Sequence, residues 1–245
     1  MPVTVILLSA GYATRLYPLT QDTPKALLPL GRGVILDAVM RSVDSVPDVA
    51  KRILVTNHRF AGAFRAWQAQ RAAAVQIVDD GTSTVETRLG AIKDLELART
   101  AGGAVGDLLV LGTDNLFGWP LAEFVTSAQQ HRPDPSIGLW ELPAGGDPSQ
   151  FGMVTRDHAD RITAFVEKSP TPPSNLVALC LYYFPESMLG EMSRFIAAGG
   201  HPDAPGYFVE WLVRERPVYG VLLRGLWYDI GTFEAYQTVV KAWRH

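Results

Sequence analysis

MPVTVILLSAGYATRLYPLTQDTPKALLPL, residues 1–30, decides how the rest of the chain is read. Residues 3–8 form an apolar, partly β-branched run, short enough for a buried strand of a parallel sheet. It runs into Ser9-Ala10-Gly11-Tyr12-Ala13-Thr14, where small residues let the backbone turn sharply and approach a ligand. Arg15 and Lys25 follow, with Pro18 and Pro24 between them. Proline fixes φ and disfavours helix before it, so 16–24 is predicted to be an irregular loop. A strand that opens into a small-residue loop with two spaced cations suits a triphosphate. Backbone N–H groups can cradle the oxygens while Arg15 and Lys25 neutralise them. The P-loop pattern is excluded, because no Gly-Lys-Ser/Thr follows and no helix starts at once. The dinucleotide fingerprint is excluded too, since only Gly11 of its three glycines is present.

Working outward, 245 residues can bury one substantial core, and α/β domains reach this length undivided. Hydrophobic residues at 47% and charged residues at 19% describe an ordinary globular chain. The net charge of -3 and the lack of a basic cluster argue against a nucleic-acid partner. A single cysteine, Cys180, predicts a reducing, cytoplasmic setting. No membrane partner is expected, because no apolar run approaches the roughly 20 residues that span a bilayer. The run 3–8 also lacks the basic flank of a signal peptide.

Periodicity predicts a helix over 34–46, a strand over 52–56, a helix over 60–71 and a strand over 75–78. Further helices are predicted over 88–98 and 121–130, and strands over 107–112 and 136–142. This alternation means βαβ units: a Rossmann-like, doubly wound α/β fold whose predominantly parallel (mixed) sheet is flanked by helices. Right-handed crossovers then put ligands at the carboxyl ends of the strands. Later strands are predicted over 151–155, 162–166, 176–184 and 218–223, with helices over 187–198, 207–214 and 232–243. A Pro-rich connector spans 169–174. With no linker or repeat, the simplest organisation is a single domain, 1–142 forming a nucleotide half and 143–245 a sugar half.

Asp114 follows the most apolar strand, and Asp229 lies directly before the last helix. Either could be a turn former or helix cap, with Thr232 competing for the cap position. Mg²⁺ takes octahedral oxygen ligands at about 2.1 Å and is typically held by one or two carboxylates plus substrate phosphates. Two aspartates from distant strand ends are the ligands such an ion needs.

The motifs resemble those of sugar-1-phosphate nucleotidylyltransferases. Gly11-Tyr12-Ala13-Thr14-Arg15, Tyr17-Pro18-Leu19-Thr20 and Thr23-Pro24-Lys25 are similar to that family's nucleotide signature, with Ala13 in place of the second glycine. Leu111-Gly112-Thr113-Asp114-Asn115, Phe151-Gly152-Met153-Val154, Phe165-Val166-Glu167-Lys168-Ser169-Pro170 and Trp227-Tyr228-Asp229-Ile230-Gly231-Thr232 resemble its later motifs, in order along nearly the whole chain. The resemblance implies that Arg15, Lys25 and Asp114 carry catalysis and that Asp114 and Asp229 hold Mg²⁺. It implies nucleotide contacts from Ser9 to Arg15, and at Lys25, Asp80, Gly81, Arg88 and Gly90. Sugar-side contacts are implied for Asn115, Gly152, Glu167, Lys168 and Asn175. The substrates implied are a nucleoside triphosphate and a sugar 1-phosphate. Members of the family often form homo-oligomers, and the sequence singles out no interface.

The run 79–91 keeps Gly90 but lacks the Gln expected to read a pyrimidine. Arg88 stands equally well as a contact to a base carbonyl or as a solvated helix residue. Two other functions stay open: a cytidylyltransferase acting on a small phospho-alcohol or phosphonate, and a catalytically silent sensor of nucleotide-sugar. The presence of Lys25, Asp114 and Asp229 weighs against the sensor. No histidine pair has zinc-ligand spacing and no Gly-x-Ser-x-Gly elbow occurs.

Overall fold

The computed structural model describes residues 1–168 and 171–243. Ser169 and Pro170, at the start of the predicted Pro-rich connector, lie outside the described residues. The apolar run at the amino end is strand β1, Val3–Ser9, with its first five residues buried. Between it and helix α1, Ile35–Val43, come only short 3-10 turns and the two-residue strands β2, Pro29–Leu30, and β3, Gly33–Val34. Next follow β4 (Val49–Thr56), α2 (His58–Arg71), β5 (Gln76–Asp79), α3 (Ala91–Ala101) and β6 (Asp107–Gly112). Then come β7 (Asn115–Phe117), α4 (Leu121–Gln129) and β8 (Ser136–Glu141). The second half contains β9 (Gly152–Arg156), β10 (Ile162–Glu167), β11 (Leu176–Phe184) and α5 (Gly190–Ala197). The chain closes with α6 (Pro205–Glu215), β12 (Tyr219–Leu222), β13 (Trp227–Asp229) and α7 (Phe233–Ala242).

The strands form one mixed nine-stranded sheet, with the path β10-β9-β11-β6-β1-β4-β5 and with β8 pairing β11 and β12. β5, β4, β1 and β6 are mutually parallel, as alternating strands and helices require. β11 runs antiparallel to β6, β8 and β9, so the second half extends the same sheet by reversal rather than by crossover. Successive residues of β1 point to opposite faces. Val3, Val5 and Leu7 pack with α1, α2 and α4 through residues such as Leu36, Phe64 and Phe124. Ile6 packs on the other face with α3, α5 and α6 through Leu95, Phe195 and Phe208. The result is the single-domain, three-layer α/β architecture expected from the alternation.

Several boundaries differ from the periodic reading, each for a local reason. α3 starts at Ala91 rather than residue 88, because Gly90 has φ +90°, outside the helical range. The expected helix over 187–198 is a 3-10 turn, Glu186–Met188, followed by α5. β7 and β13, three residues each, pair antiparallel in a separate ribbon and are too short for a periodic signal.

α1 begins without a polar N-cap side chain. Instead Asp37 reaches back, its Oδ2 accepting from the Val34 N–H at 3.0 Å. The same carboxylate accepts from Trp67 Nε1 at 2.9 Å and from Arg71 Nε and Nη2 at 3.1 and 2.9 Å. A Cβ at Gly33 would land on Asp37 Oδ2, which is why glycine precedes this helix. Burial by itself would raise the Asp37 pKa. The bonds from Arg71, Trp67 and Val34 outweigh it and hold the group below the usual carboxylate range. A depressed folded pKa adds stability above the unfolded value of about 3.9, and that stability is lost as the pH falls through the folded value. Asp37→Asn is therefore expected to cost about 1–3 kcal/mol at pH 7. In urea unfolding, its gap to wild type should narrow as the pH drops below about 4. At Gly90 a Cβ would stand 2.7 Å from the Pro202 carbonyl oxygen, on a backbone with φ +90°. Gly90→Ala is expected to destabilise by more than about 1 kcal/mol in the same assay; an unchanged midpoint would contradict the close approach.

Candidate active site

In the sheet, β4 lies on one side of β1 and β6 on the other, so the chain reverses its direction of winding at β1. That switch point leaves a crevice past the carboxyl ends of β1 and β6, where ligands of open α/β sheets bind. A cavity of about 560 Å³ occupies it. Ser9 to Arg15 and Lys25 line one part, Gly112, Thr113, Asp114 and Cys180 the floor, and Val85, Arg88, Gly90, Ala91 and Asp94 the far wall. Thr113 ties the two strand ends together, its Oγ1 donating to the Leu8 carbonyl at 3.1 Å and bonding Ser9 Oγ at 3.0 Å.

The phosphate loop is fixed by its own sequence. Ala13, at the expected glycine position, sits in the left-handed region with φ 48° and ψ 42°. Its carbonyl accepts from the Leu16 N–H at 3.0 Å and from Thr20 Oγ1 at 2.8 Å. The buried Thr20 thus holds the turn and offsets a cost of about 1–2 kcal/mol for a left-handed non-glycine residue. Arg15 is exposed at the rim, its guanidinium 3.4 Å from Gln150 Oε1.

Lys25 and the two aspartates converge although they are distant in sequence. Lys25 Nζ donates to Asp114 Oδ2 at 2.6 Å and to the Ile230 carbonyl at 2.9 Å. The ribbon of β7 and β13 sets Asp229 opposite Asn115, and the Ile230 N–H donates to the Asp114 carbonyl at 3.0 Å. Gly112 has no Cβ because one would stand 2.7 Å from Asp114 Oδ1. Burial pushes the Asp114 pKa up, but the Lys25 ammonium and the bonds from Lys25 and Asn115 override it and hold the group charged. Asp229 goes the other way: burial first, then the Asp114 charge, raises its pKa against the pull of Lys25 and Arg15. Two hard-oxygen carboxylates therefore share one ammonium, and Lys25 stands where a cation would. That donor set fits Mg²⁺, with the remaining ligands supplied by substrate oxygens. Among the described residues no cluster of three His, Cys, Asp or Glu side chains offers a metal site.

At the far wall, Arg88 is not a helix residue. It precedes α3, and its guanidinium bonds the Val85 carbonyl and Asp203 Oδ2, both at 2.9 Å. Tyr12 OH lies 3.3 Å from Thr82 Oγ1. Asp80 and Gly81 stand behind the wall: Asp80 Oδ1 accepts from the Thr82 N–H at 2.6 Å and Oδ2 from Thr82 Oγ1 at 3.0 Å. Gly81 takes φ +77° in that turn. The side chain of Asp94, absent from the sequence reading, lines the same wall. In sequence it looks like an acid in the first turn of an amphipathic helix, and nothing in that pattern points to a cavity.

The residues expected on the sugar side divide. Glu167 is nearly buried, its pKa raised by burial against the pull of Lys168, whose Nζ is 3.7 Å away. Gly152 lies against it, since a Cβ there would stand 2.9 Å from Glu167 Oε2. Lys168 is half-exposed. These three stand outside the walls of the main cavity. Asn115, expected to contact substrate, is instead buried and positions its neighbours. Its Nδ2 donates to Asp114 Oδ1 at 2.9 Å, and its Oδ1 accepts from Trp227 Nε1 at 2.8 Å. Asn175 donates to Glu141 Oε1 at 2.9 Å and lines a separate groove with residues 141–148 and Pro172. The expected contact beside the main cavity is not made, because β11 pairs with β8 and carries Asn175 to the end of that pair.

The sequence model of the Nucleotidyl transferase family matches residues 4–244. The chain is 24% identical over 233 residues to the bifunctional protein GlmU of Methanococcus aeolicus, covering 92% of this chain and 51% of that protein. It is 28% identical over 234 residues to the mannose-1-phosphate guanylyltransferase catalytic subunit beta of Drosophila melanogaster, covering 92% and 58%. It thus spans between half and two thirds of the length of these relatives. A solved structure of UDP-glucose pyrophosphorylase with UDP-glucose shares the fold, at a TM-score of 0.81 and 17% identity, covering 99% of this chain and 98% of that one. No helix among the described residues is long and apolar enough to cross a membrane. The family match over almost the entire sequence, on a switch-point cavity with a phosphate loop, makes the conclusion plain: this chain belongs to the nucleotidyl transferase family.

Proposed function

We propose that the protein transfers a nucleotidyl group from a nucleoside triphosphate to a sugar 1-phosphate, releasing pyrophosphate and a nucleotide-sugar. The observation that carries this reading is the meeting of Lys25, Asp114 and Asp229 below the Gly11–Arg15 loop. The attacking sugar-phosphate oxygen is already anionic at neutral pH, so no general base is needed. It forms a bond to the α-phosphorus as the bond from that phosphorus to the bridging oxygen breaks, and the electron pair leaves with pyrophosphate. What the reaction requires is alignment and neutralisation of charge on the leaving group.

The backbone of residues 9–14 cradles the phosphates, with Arg15 at the β- and γ-phosphates and Lys25 at the α-phosphate and leaving oxygen. Asp114 and Asp229 would hold Mg²⁺. When bound, that ion polarises the α-phosphate and draws the acceptor oxygen toward it. Asn115 keeps the Asp114 carboxylate turned toward the floor through its bond to Oδ1. Residues 1–142 serve the nucleotide. Within 143–245, Gly152 and Glu167 orient the sugar and Lys168 its phosphate.

Pyrophosphate release from a panel of sugar 1-phosphates and triphosphates tests the proposal. Activity should require a divalent ion and vanish with a chelator. Lys25→Ala is expected to lower the rate by about 10²–10³, the usual cost of removing a charge-stabilising donor. Asp114→Asn should abolish turnover while leaving the circular dichroism spectrum unchanged. A wild-type rate from Asp114→Asn would refute the scheme. Turnover confined to CTP with a phospho-alcohol or phosphonate would install the cytidylyltransferase reading instead.

A further inference from the structure

Family membership leaves the base open, since a guanylyltransferase and a structure holding UDP-glucose both resemble this chain. The far wall of the cavity carries more information. Given triphosphate at Arg15 and Lys25, the base falls at the opposite end, among Tyr12, Val85, Arg88, Gly90 and Asp94. Asp94 is 6% exposed, and its Oδ1 has no hydrogen-bond partner. An acid in a first helical turn normally accepts a backbone N–H there; this oxygen does not. A buried acceptor without a donor costs about as much as a lost hydrogen bond unless a ligand completes it. The other side of the carboxyl faces Asp80, with which it shares a hydrogen bond. Asp80 is fixed in turn by the Thr82 N–H and hydroxyl. Burial, followed by the Asp80 charge, raises the Asp94 pKa to about 8, so at neutral pH its proton is given to Asp80. Oδ1 then offers only lone pairs to the cavity.

We propose that Asp94, backed by Asp80, reads the exocyclic amino group of the nucleobase, so that the nucleotide taken is an amino-bearing one (guanine, adenine or cytosine) in preference to uracil or thymine. An amino N–H completes the unpaired oxygen. The carbonyl groups on either side of N3–H in uracil and thymine present lone pairs to it and leave it unsatisfied. This assignment rests on the nucleotidyl-transfer reading of the same cavity, and on its orientation.

Equilibrium binding of triphosphates with Mg²⁺ present tests it through pairs that differ at the amino group: GTP and ATP against ITP, and CTP against UTP. The tightest ligand is expected to be amino-bearing and to exceed its counterpart by at least about tenfold. The near-isosteric variant Asp94→Asn presents an amide that can donate as well as accept, and should reduce that ratio to below about threefold. The wild-type pairs need no variant, so the test survives a failure of Asp94→Asn to fold. UTP or dTTP binding as tightly as every amino-bearing triphosphate would overturn the base assignment while leaving the transfer reading intact. An undiminished ratio in folded Asp94→Asn would do the same. Absence of binding by any triphosphate would overturn both.

Discussion

The ammonium of Lys25 is the tie on which the site depends. It joins a carboxylate 89 residues downstream to a main-chain carbonyl 205 residues downstream. The entropic cost of such closures grows only logarithmically with loop length, so long separation is no obstacle once the sheet is formed. Burial sets the consequence: the Lys25 and Asp114 side chains retain 17% and 29% of their exposure. Removing one partner of a buried pair costs up to about 3–5 kcal/mol, chiefly because the other charge is left behind. Asp229 makes the balance unequal by adding a second carboxylate beside the same ammonium. The floor of the cavity is thereby held in an electron-rich state that one lysine compensates only in part. A cation arriving with an anionic substrate relieves it.

The sheet explains why this tie lies at the cavity floor. β1 and β6 end side by side, with Leu8 opposite Gly112, and each continues into a segment that cannot extend the ladder. After β1 the backbone turns left-handed at Ala13; after β6 it enters the short ribbon of β7 with β13. α1 does not follow β1 directly. The anion cradle is therefore a loop braced by Thr20 rather than a helix terminus, which is why neither familiar glycine fingerprint fits. The same separation leaves α1 to begin on its own terms, with Asp37 and Gly33 in place of a capping side chain.

What the sequence made legible follows the range of the interactions. The parallel strands were readable because both of their faces are buried, which turns β1 and β6 into continuous apolar runs. The phosphate loop was readable because its parts lie within 25 consecutive residues. Asp114 and Asp229 could be picked out singly, but their meeting depends on three-residue strands that carry no periodic signal. Asn115 and Asn175 misled for a related reason. An amide beside a motif looks like a ligand contact, whereas partners supplied by Trp227 and Glu141 lie 112 and 34 residues away. Thr20 lay inside a recognised motif, yet its task of holding the Ala13 carbonyl is a matter of backbone shape, which composition does not reveal.

The two ends of the cavity differ in what the fold must supply. Phosphate groups are recognised by charge and by main-chain N–H groups, so a short loop with two cations suffices and tolerates an alanine at a left-handed position. A base edge is recognised by the placement of single donors and acceptors, and an unpaired buried one is penalised. Its readers must come from rigid surroundings. Here they sit on α3, on the turn after β5 and on the loop before α6, three segments that meet through Gly90 against Pro202 and Arg88 against Asp203. The lack of a Cβ at Gly90 is what lets the loop before α6 close that wall. The Arg88–Asp203 bridge is largely exposed and worth little by itself, so close packing rather than charge keeps the wall in place. Chemistry common to the whole family is thus written in one contiguous stretch, while selectivity is distributed over contacts that only the folded chain assembles.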